Sequence, residues 1–198
     1  MAFDFARDPF ENLLDQIDLA GVSGVKEPIA MSLATATKDG LPDVRAVLFK
    51  GLVRGGLSFY TNYDSQKSQE LSENPNASAL FFWAPLAQQI RVIGKVDRLT
   101  REESEAYFAS RPRLSQIGAW ASLQSQEIPS FDFLNDRVKV FEEKFANQIV
   151  PCPSNWGGFR ILPLRIEFWF GREGRLHERF VYERKDFSVN WTRKFVSP

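Results

Sequence analysis

Strand-forming segments outnumber helical ones in this chain of 198 residues, and the few helices between them are unevenly spaced. Apolar runs bounded by turn residues predict strands at 29–37, 44–49, 57–61, 77–83, 89–99, 159–170 and 176–182, before a closing segment at 187–196. Helices are predicted at 9–20, 65–73, 100–109, 112–121 and 130–147. A doubly wound α/β sheet needs strands and helices in regular alternation. The order found here instead predicts a mainly β fold, of the α+β class, in which a small barrel carries peripheral helices.

The length fits a single domain spanning residues 1–198, with a helix and linker at 1–24 and the barrel with its packed helices at 25–198. Asp8 and Pro9 are typical of the start of a helix, and Thr100 with Glu103 forms a capping-box pattern at another. The adjacent glycines Gly157 and Gly158 predict a tight turn, because glycine permits a positive φ. Aromatic residues make up 14% of the chain, which suits a β-rich core or a flat aromatic ligand.

The composition excludes several kinds of site. With one cysteine, Cys152, and one histidine, His177, the chain can form neither an intrachain disulfide nor a multi-histidine or cysteine-cluster metal site, so no metal is expected. The formal net charge is zero, which argues against nucleic acid as a partner. No apolar run reaches the ~18 residues of a membrane span, and the N-terminus does not resemble a signal peptide. A cytoplasmic protein without a membrane partner is therefore predicted.

Basic residues stand at two predicted helix starts, where acidic residues would be favoured by the helix dipole. Lys67 lies in the first turn of one helix, and Arg111 and Arg113 flank the start of another, with Ser115 one turn in. A bound phosphate would make this arrangement favourable, because free backbone N–H groups and the basic side chain would both contact it. The alternative is that these are ordinary solvated surface cations.

Two further basic stretches indicate a ligand. On the predicted strand 176–182, alternation would put Arg175, His177 and Arg179 on one face, which is sensible if an anionic or electron-rich ligand lies across it. The alternative is an exposed edge strand whose charges oppose aggregation. Arg45 and Lys50 bracket a short apolar run, and both can reach one ligand only if the strand bulges or Lys50 lies at its end.

Taken together, these motifs resemble the FMN-dependent pyridoxamine 5′-phosphate oxidases. The stretches that carry the resemblance follow the family order and are Arg45-AVLF-Lys50, FYTNYDSQKSQELSENP at 59–75, YFASRPRLSQIGAWASLQS at 107–125, WGGFRILP at 156–163, EFWFGR at 167–172 and RLHER at 175–179. The resemblance implies a split β-barrel that acts as a homodimer with FMN at the subunit interface.

The resemblance also implies roles for individual residues. FMN would be bound by Arg45, Ala46, Val47, Leu48, Tyr60, Thr61, Gln66, Lys67, Gln89, Gln124, Ser125, Trp169 and Arg179, with Lys67 on its phosphate. The substrate would be bound by Lys50, Tyr107, Arg111, Ser115, Arg175 and His177. Arg175 and His177 would be the catalytic residues, in that they orient the substrate over the flavin.

The implied reaction oxidises pyridoxamine or pyridoxine 5′-phosphate to pyridoxal 5′-phosphate, with O₂ as acceptor and H₂O₂ as product. Three residues depart from the family pattern: Gln66 replaces a basic residue, Gln88 an arginine and Phe170 a glutamine. The longer N-terminal arm of the family has no counterpart before Asp8. Two alternatives therefore stay open, a flavin oxidase for another aromatic substrate of phenazine type and a non-catalytic FMN or pyridoxal-phosphate binding protein.

Overall fold

The computed structural model describes residues 3–198, and the two remaining residues of the predicted N-terminal segment lie outside them. The helices are α1 (Pro9–Val22), α2 (Gln66–Glu73), α3 (Arg101–Ser110), α4 (Arg113–Ala121) and α5 (Phe131–Lys144). The strands are β1 (Ala30–Ala36), β2 (Pro42–Leu48), β3 (Leu52–Val53), β4 (Gly56–Asn62), β5 (Asn76–Trp83), β6 (Gln88–Arg98), β7 (Trp156–Phe170), β8 (Glu178–Glu183) and β9 (Thr192–Phe195).

All nine strands belong to one antiparallel sheet in the order β2-β1-β5-β6-β7-β4-β3, and β8 pairs with β7 and β9 with β8. Within residues 3–198 the end strands β2 and β3 do not pair with each other, so the barrel is open. Along the chain α1 precedes all the strands, α2 lies between β4 and β5, and α3, α4 and α5 lie between β6 and β7. All five described helices pack at the periphery. The predicted mainly β fold with peripheral helices is confirmed.

Strand β7 is shared between two parts of the sheet. It pairs with β6 along nearly its whole length, whereas its other edge pairs first with β4, up to Ile161, and then with β8, from Arg165. The change of partner coincides with a bulge, because Ile93 and Gly94 of β6 oppose Arg165 and Pro163, which leaves Leu164 as an extra residue. The bulge turns the second half of β7 away from β4 and so splits the barrel.

Local sequence explains the helices that pack on this sheet. The Asp8 carboxylate accepts a hydrogen bond from the N–H of Phe10 at 2.8 Å and caps α1, and Leu13 and Ile17 on its inner side are buried in the main core. Thr100 and Glu103 form the predicted capping box of α3. A second, smaller core lies among α3, α4, α5 and the first residue of β7, and contains Phe108, Ile117, Phe145, Val150 and Trp156.

Two local predictions were wrong. Strand β8 begins only at Glu178, because Gly174 and Arg175 take positive φ angles of 65° and 62° and curl the preceding residues into a turn. Alternation therefore does not apply to Arg175 and His177. A turn was also expected at Gly157 and Gly158, yet both lie within β7, where a Cβ on Gly157 would stand 2.1 Å from the Tyr63 hydroxyl.

We predict that Gly94→Ala destabilises the protein by about 3 kcal/mol, because an added Cβ would lie 2.0 Å from the Leu162 carbonyl oxygen and the backbone at the bulge would have to move. Gly118→Ala is the matched control, since nothing lies within 4 Å of its added Cβ in α4, and it should gain about 0.5–1 kcal/mol. Urea unfolding of the three proteins measures both effects. Equal stabilities of the two variants would contradict the role given to the bulge.

Candidate functional site

A cleft of about 680 Å³ opens between β2, β4, the start of α2 and the α3–α4 junction. Most of the residues predicted to bind FMN or substrate line it together, namely Arg45, Ala46, Val47, Leu48, Lys50, Tyr60, Thr61, Lys67, Tyr107, Arg111, Ser115 and Gln124. Lys50 lies beyond the end of β2, so the condition for Arg45 and Lys50 to face one ligand is met. Asn62, Ser110, Gly118 and Trp156 also line this first cleft but were not predicted to.

Lys67 is a buried cation at one end of the first cleft. Its Nζ donates to Thr61 Oγ1 and Ser65 Oγ, each at 3.2 Å, and to Gln124 Oε1 at 3.5 Å. Among the described residues no carboxylate lies within salt-bridge distance of it. Burial lowers the pKa of Lys67, and the positive charge of Arg45 lowers it further. An anion bound in the cleft would stabilise the charged form of Lys67 against burial and against the repulsion of Arg45. This end of the cleft therefore favours an anionic ligand.

The two helices that begin at the cleft differ from the other three. Helices α1, α3 and α5 each have a side-chain cap and an acidic residue in the first turn. Helices α2 and α4 have neither, and they carry Lys67 and Arg113 in those positions. Backbone N–H groups at these two helix starts therefore stay available to an anion.

Arg111, at the α3–α4 junction, is the second cation for which the described residues provide no counter-ion. Its Nη1 is buried and has no hydrogen-bond partner in the described part of the chain. Burial lowers the pKa of the Arg111 guanidinium. Arg113, its neighbour in sequence, instead turns away and donates to the carbonyl oxygens of Phe145 and Gln148 at 2.6 and 2.9 Å. Only Arg111 and Ser115 of this predicted anion site therefore face the cleft.

Arg45 and Gln66 belong to a polar network behind the cleft. The Arg45 guanidinium contacts Asp43 at 2.7 Å and the buried Glu70 at 3.1 Å, and it also donates to Thr35. Gln66 donates to Glu70 Oε1 at 2.9 Å and does not line the cleft. Its amide holds Glu70 rather than facing a ligand, so the structure does not group Gln66 with the other predicted FMN-binding residues.

Stacked aromatic rings form the wall between the Lys67 and Arg111 ends. The rings of Tyr60 and Tyr107 lie 3.9 Å apart at 20°, and Trp156 continues the stack 5.6 Å from Tyr60 at 12°. Burial raises the pKa of Tyr60 to about 12, so its hydroxyl stays protonated at neutral pH. The wall is flat and apolar between two cationic ends.

Four more of the predicted residues, Gln89, Trp169, His177 and Arg179, lie in a second, smaller cleft of about 160 Å³, which Arg91, Glu167 and Pro198 also line. The His177 ring packs on Trp169 at 4.6 Å, and its Nδ1 accepts a hydrogen bond from the Arg172 N–H at 3.1 Å. Arg175 is exposed and Ser125 lies in an exposed turn with a φ of 68°, and neither lines either cleft.

Glu167 organises the second cleft and was missed in the sequence. This buried carboxylate accepts from Arg91 at 2.7 Å, from Arg165 at 3.0 Å and from Arg179 at 2.8 Å. Burial by itself would raise the pKa of Glu167, but the three arginines outweigh it and hold the pKa below its ordinary value. Strand alternation could have indicated this role, because residues two apart on a strand share a face. Glu167 lies two residues before Trp169, and Arg91 lies two residues after Gln89.

Within residues 3–198 no group of three or more His, Cys, Asp or Glu side chains is placed to hold a metal ion. None of the described helices combines the length and the apolar character needed to cross a membrane.

Comparison with known proteins assigns this architecture. The profile described as pyridoxamine 5′-phosphate oxidase matches residues 20–145, and that of the pyridoxine 5′-phosphate oxidase C-terminal dimerisation region matches residues 156–198. A pyridoxine/pyridoxamine 5′-phosphate oxidase of Bdellovibrio bacteriovorus is 47% identical and covers 99% of this chain and 100% of its own length. A Coxiella burnetii protein of the same name is 49% identical, covering 92% of this chain and 93% of its own.

Solved structures agree with this assignment. PhzG from Burkholderia lata, in complex with tetrahydrophenazine-1-carboxylic acid, superposes with a TM-score of 0.92 at 30% identity over 100% of this chain and 98% of its own. A pyridoxamine 5′-phosphate oxidase-related, FMN-binding protein from Nostoc punctiforme shares the fold alone, with a TM-score of 0.77 at 17% identity and full coverage of both chains. The open antiparallel sheet with its peripheral helices is thus the predicted split β-barrel, the fold of pyridoxamine 5′-phosphate oxidase-like proteins.

The chain belongs to the pyridoxamine 5′-phosphate oxidase family. The resemblance drawn from the sequence is confirmed, and family membership makes an oxidoreductase the class of enzyme to expect. The match of residues 156–198 to a dimerisation region supports a homodimer.

We predict that Glu167→Gln lowers the free energy of unfolding at pH 7 by about 3 kcal/mol, because it leaves three arginines without their shared buried counter-charge. The folded-state pKa of Glu167 lies below its ordinary value of 4.5. The stabilisation is therefore complete above pH 4.5 and is lost as the pH falls through the lower folded-state pKa.

Thermal unfolding between pH 7 and pH 3 tests this prediction. The difference between wild type and Glu167→Gln should be largest at neutral pH and should shrink in acid. Glu142→Gln, on the exposed side of α5, is the matched control and should follow the wild-type curve. A pH-independent difference would show that Glu167 acts through packing rather than charge.

Proposed function

We propose that this protein catalyses the FMN-dependent oxidation of pyridoxamine 5′-phosphate, pyridoxine 5′-phosphate or both to pyridoxal 5′-phosphate. The observation that carries the proposal is the first cleft. Its two cations, Lys67 and Arg111, have no counter-ion among residues 3–198 and lie at separate ends of an aromatic wall. Such a cleft suits two phosphorylated aromatic ligands, one at each end. The names of the relatives at 47–49% identity support the same reaction.

The residues present fit FMN. Its phosphate would lie against Lys67 and the uncapped start of α2, where the structure leaves a buried positive charge unneutralised. Its ring would lie along β2 and β4, beside Arg45, Ala46, Val47, Leu48, Tyr60, Thr61 and Gln124. When bound, FMN would accept a hydride from the C4′ carbon of the substrate and pass both electrons to O₂, which gives H₂O₂.

The substrate phosphate would lie at the other end of the cleft. The free N–H of Arg111 Nη1 would donate to it, together with the hydroxyl of Ser115 and the backbone at the start of α4. Lys50 and Tyr107 would complete this site. Oxidation of the alcohol substrate needs only O₂, whereas the amine substrate also consumes a water molecule and releases ammonia.

A homodimer would unite the two clefts. Cross-strand pairing places Ala46, Ser32, Leu80 and Arg91 in one row across β2, β1, β5 and β6, so the two clefts border the same outer face of the sheet. That face also exposes Val44, Phe82 and Ile93, at 62%, 60% and 41% of their surface. We infer that a second subunit covers this apolar face and brings Gln89, Trp169, His177 and Arg179 to the first cleft of its partner.

His177 would then orient the substrate ring. Because its Nδ1 accepts the Arg172 N–H, a neutral His177 carries its proton on Nε2 and can donate it to a ligand. Trp169 supports the imidazole from one side, and Arg179 is fixed by Glu167 and by the Ser197 carbonyl oxygen. Arg175 is exposed on the adjacent turn, so a catalytic role for it requires the partner's cleft to reach that turn.

Three further predictions belong to this proposal. The one-domain organisation is supported by the shared core of α1 and the sheet. A cytoplasmic location remains a prediction, as does the absence of nucleic-acid and membrane partners.

The structural similarity of this chain to PhzG favours one rival function, a flavin oxidase for a phenazine-type substrate.

We predict that the purified protein, supplied with FMN, forms pyridoxal 5′-phosphate and H₂O₂ from at least one of the two phosphorylated substrates. Absorbance of the aldehyde and a peroxidase-coupled assay measure the two products, and chromatography of the extracted flavin identifies the cofactor. Turnover of a reduced phenazine carboxylic acid alone would establish the rival oxidase. Tight binding of FMN and pyridoxal 5′-phosphate without turnover of any of these compounds would establish a binding protein.

We predict that two inactive variants restore each other when combined. Lys67→Ala damages the first cleft and Arg179→Ala the second, so a mixed dimer contains one intact site, and an equal mixture should regain about a quarter of wild-type activity. The control mixture, Lys67→Ala with Arg111→Ala, contains no intact site because both changes lie in the first cleft. Failure of the first mixture while light scattering shows mixed dimers would overturn the shared site.

A further inference from the structure

The stretch Trp156-Gly157-Gly158 at the start of β7 is not explained by the ligand contacts assigned above. Trp156 pairs with Asn62 of β4, is 5% exposed and lines the first cleft beside Arg111. The two glycines let β7 approach its neighbours, since an added Cβ on Gly158 would lie 2.5 Å from Leu99 and 2.8 Å from Tyr60. This close approach sets Trp156 nearly parallel to Tyr60 and Tyr107, at 12° and 7°.

The indole of Trp156 is also the main support of the Arg111 guanidinium. The Arg111 Cζ lies 4.6 Å from the centre of the Trp156 ring, and 5.6 Å from that of Phe108. No carboxylate lies within salt-bridge distance of Arg111 among residues 3–198. Its position is therefore held by aromatic faces rather than by a counter-ion.

The kind of support decides what the cation can do. A carboxylate partner, such as Glu167 provides for Arg179, would neutralise the charge and occupy N–H donors. An aromatic face attracts the cation through its quadrupole and leaves the N–H groups in the guanidinium plane free. Arg111 shows this result, because its buried Nη1 has no hydrogen-bond partner among residues 3–198.

We propose that Trp156 is a positioning residue for phosphate recognition, holding the Arg111 guanidinium by a cation–π contact that leaves its charge and N–H donors free for the substrate phosphate. This inference rests on the proposed function, which places the substrate phosphate at Arg111. It assigns to Trp156 a role in distinguishing phosphorylated from unphosphorylated pyridines, without a direct contact to the phosphate.

The test compares two ligands that differ only in the phosphate. The dissociation constants of pyridoxal 5′-phosphate and pyridoxal are measured with the flavin-loaded protein for wild type, Trp156→Phe and Trp156→Leu. Trp156→Leu should weaken binding of pyridoxal 5′-phosphate about 10-fold or more, as expected for a desolvated cation–π contact, and leave pyridoxal binding unchanged. Trp156→Phe, which keeps a smaller ring, should fall between wild type and Trp156→Leu, and it serves as the readout if Trp156→Leu does not fold.

Two controls separate positioning from general packing. Trp120→Leu removes another tryptophan of the same helical core, one that lies 5.4 Å from Lys144 rather than over Arg111, and should leave the preference for the phosphorylated ligand unchanged. In an Arg111→Gln background, Trp156→Leu should cause no further loss of that preference. In steady-state kinetics Trp156→Leu should raise KM for the phosphorylated substrate and change kcat little.

The outcomes are distinguishable. Equal weakening of both ligands, or an effect of Trp156→Leu that is additive with Arg111→Gln, would overturn the positioning role and leave the proposed function intact. If wild type itself binds pyridoxal as tightly as pyridoxal 5′-phosphate, the phosphate site at Arg111 is wrong, and the proposed function fails together with this inference.

Discussion

The arrangement of both clefts depends on one strand that belongs to two parts of the sheet. Strand β7 begins at Trp156 in the first cleft and reaches Glu167 and Trp169 in the second, and it changes partner from β4 to β8 at the bulge opposite Gly94. A continuous regular strand would keep one neighbour along its edge and would leave the barrel unsplit. The absence of a Cβ at Gly94 permits the approach of the Leu162 carbonyl that makes this bend.

The two clefts solve the problem of a buried cation in opposite ways. In the second cleft Arg91, Arg165 and Arg179 share the buried carboxylate of Glu167, which fixes their positions and reduces their net charge. In the first cleft Lys67 is held by hydroxyl and amide oxygens and Arg111 by aromatic rings, so no described carboxylate neutralises either positive charge. Uncompensated charge lowers stability unless a ligand supplies the counter-ion. The unneutralised positive charge of the first cleft therefore suits a phosphate. In the second cleft the ion pairs with Glu167 reduce the net charge of the arginines and hold their side chains in fixed positions.

The features predicted correctly from the sequence are those that depend only on residues close together in the chain. The cap at Asp8, the capping box at Thr100 and the basic helix start at Lys67 are short-range patterns, and the structure shows each of them. Prediction failed where the outcome depends on distant partners. The positive φ of Arg175 places His177 before the start of β8 rather than in it. The glycines after Trp156 lie in a strand because they fit closely against Tyr60 and Tyr63. The arginines around Glu167 come together only through the register of β6, β7 and β8. The separation of the two clefts could not be predicted either, because it depends on how distant strands pair, which alternation and spacing along the chain do not reveal.

The departures from the family pattern are explained mainly by packing away from the first cleft. Phe170 contacts Phe3 at 5.1 Å and Phe180 at 5.8 Å, so it belongs to the aromatic cluster that ties residues 3–7 to β7 and β8. The buried Gln88 donates to Gln16 of α1, where an arginine would bury a charge without a carboxylate. Gln66 differs from these two, because a basic residue there would stand beside Glu70 and next to Lys67 in sequence. With glutamine at this position, Arg45 is the one basic residue among those described that pairs with Glu70, and Lys67 is left as the cation at the uncapped start of α2. The affinity of that end of the cleft for a phosphate should therefore depend mainly on this single side chain.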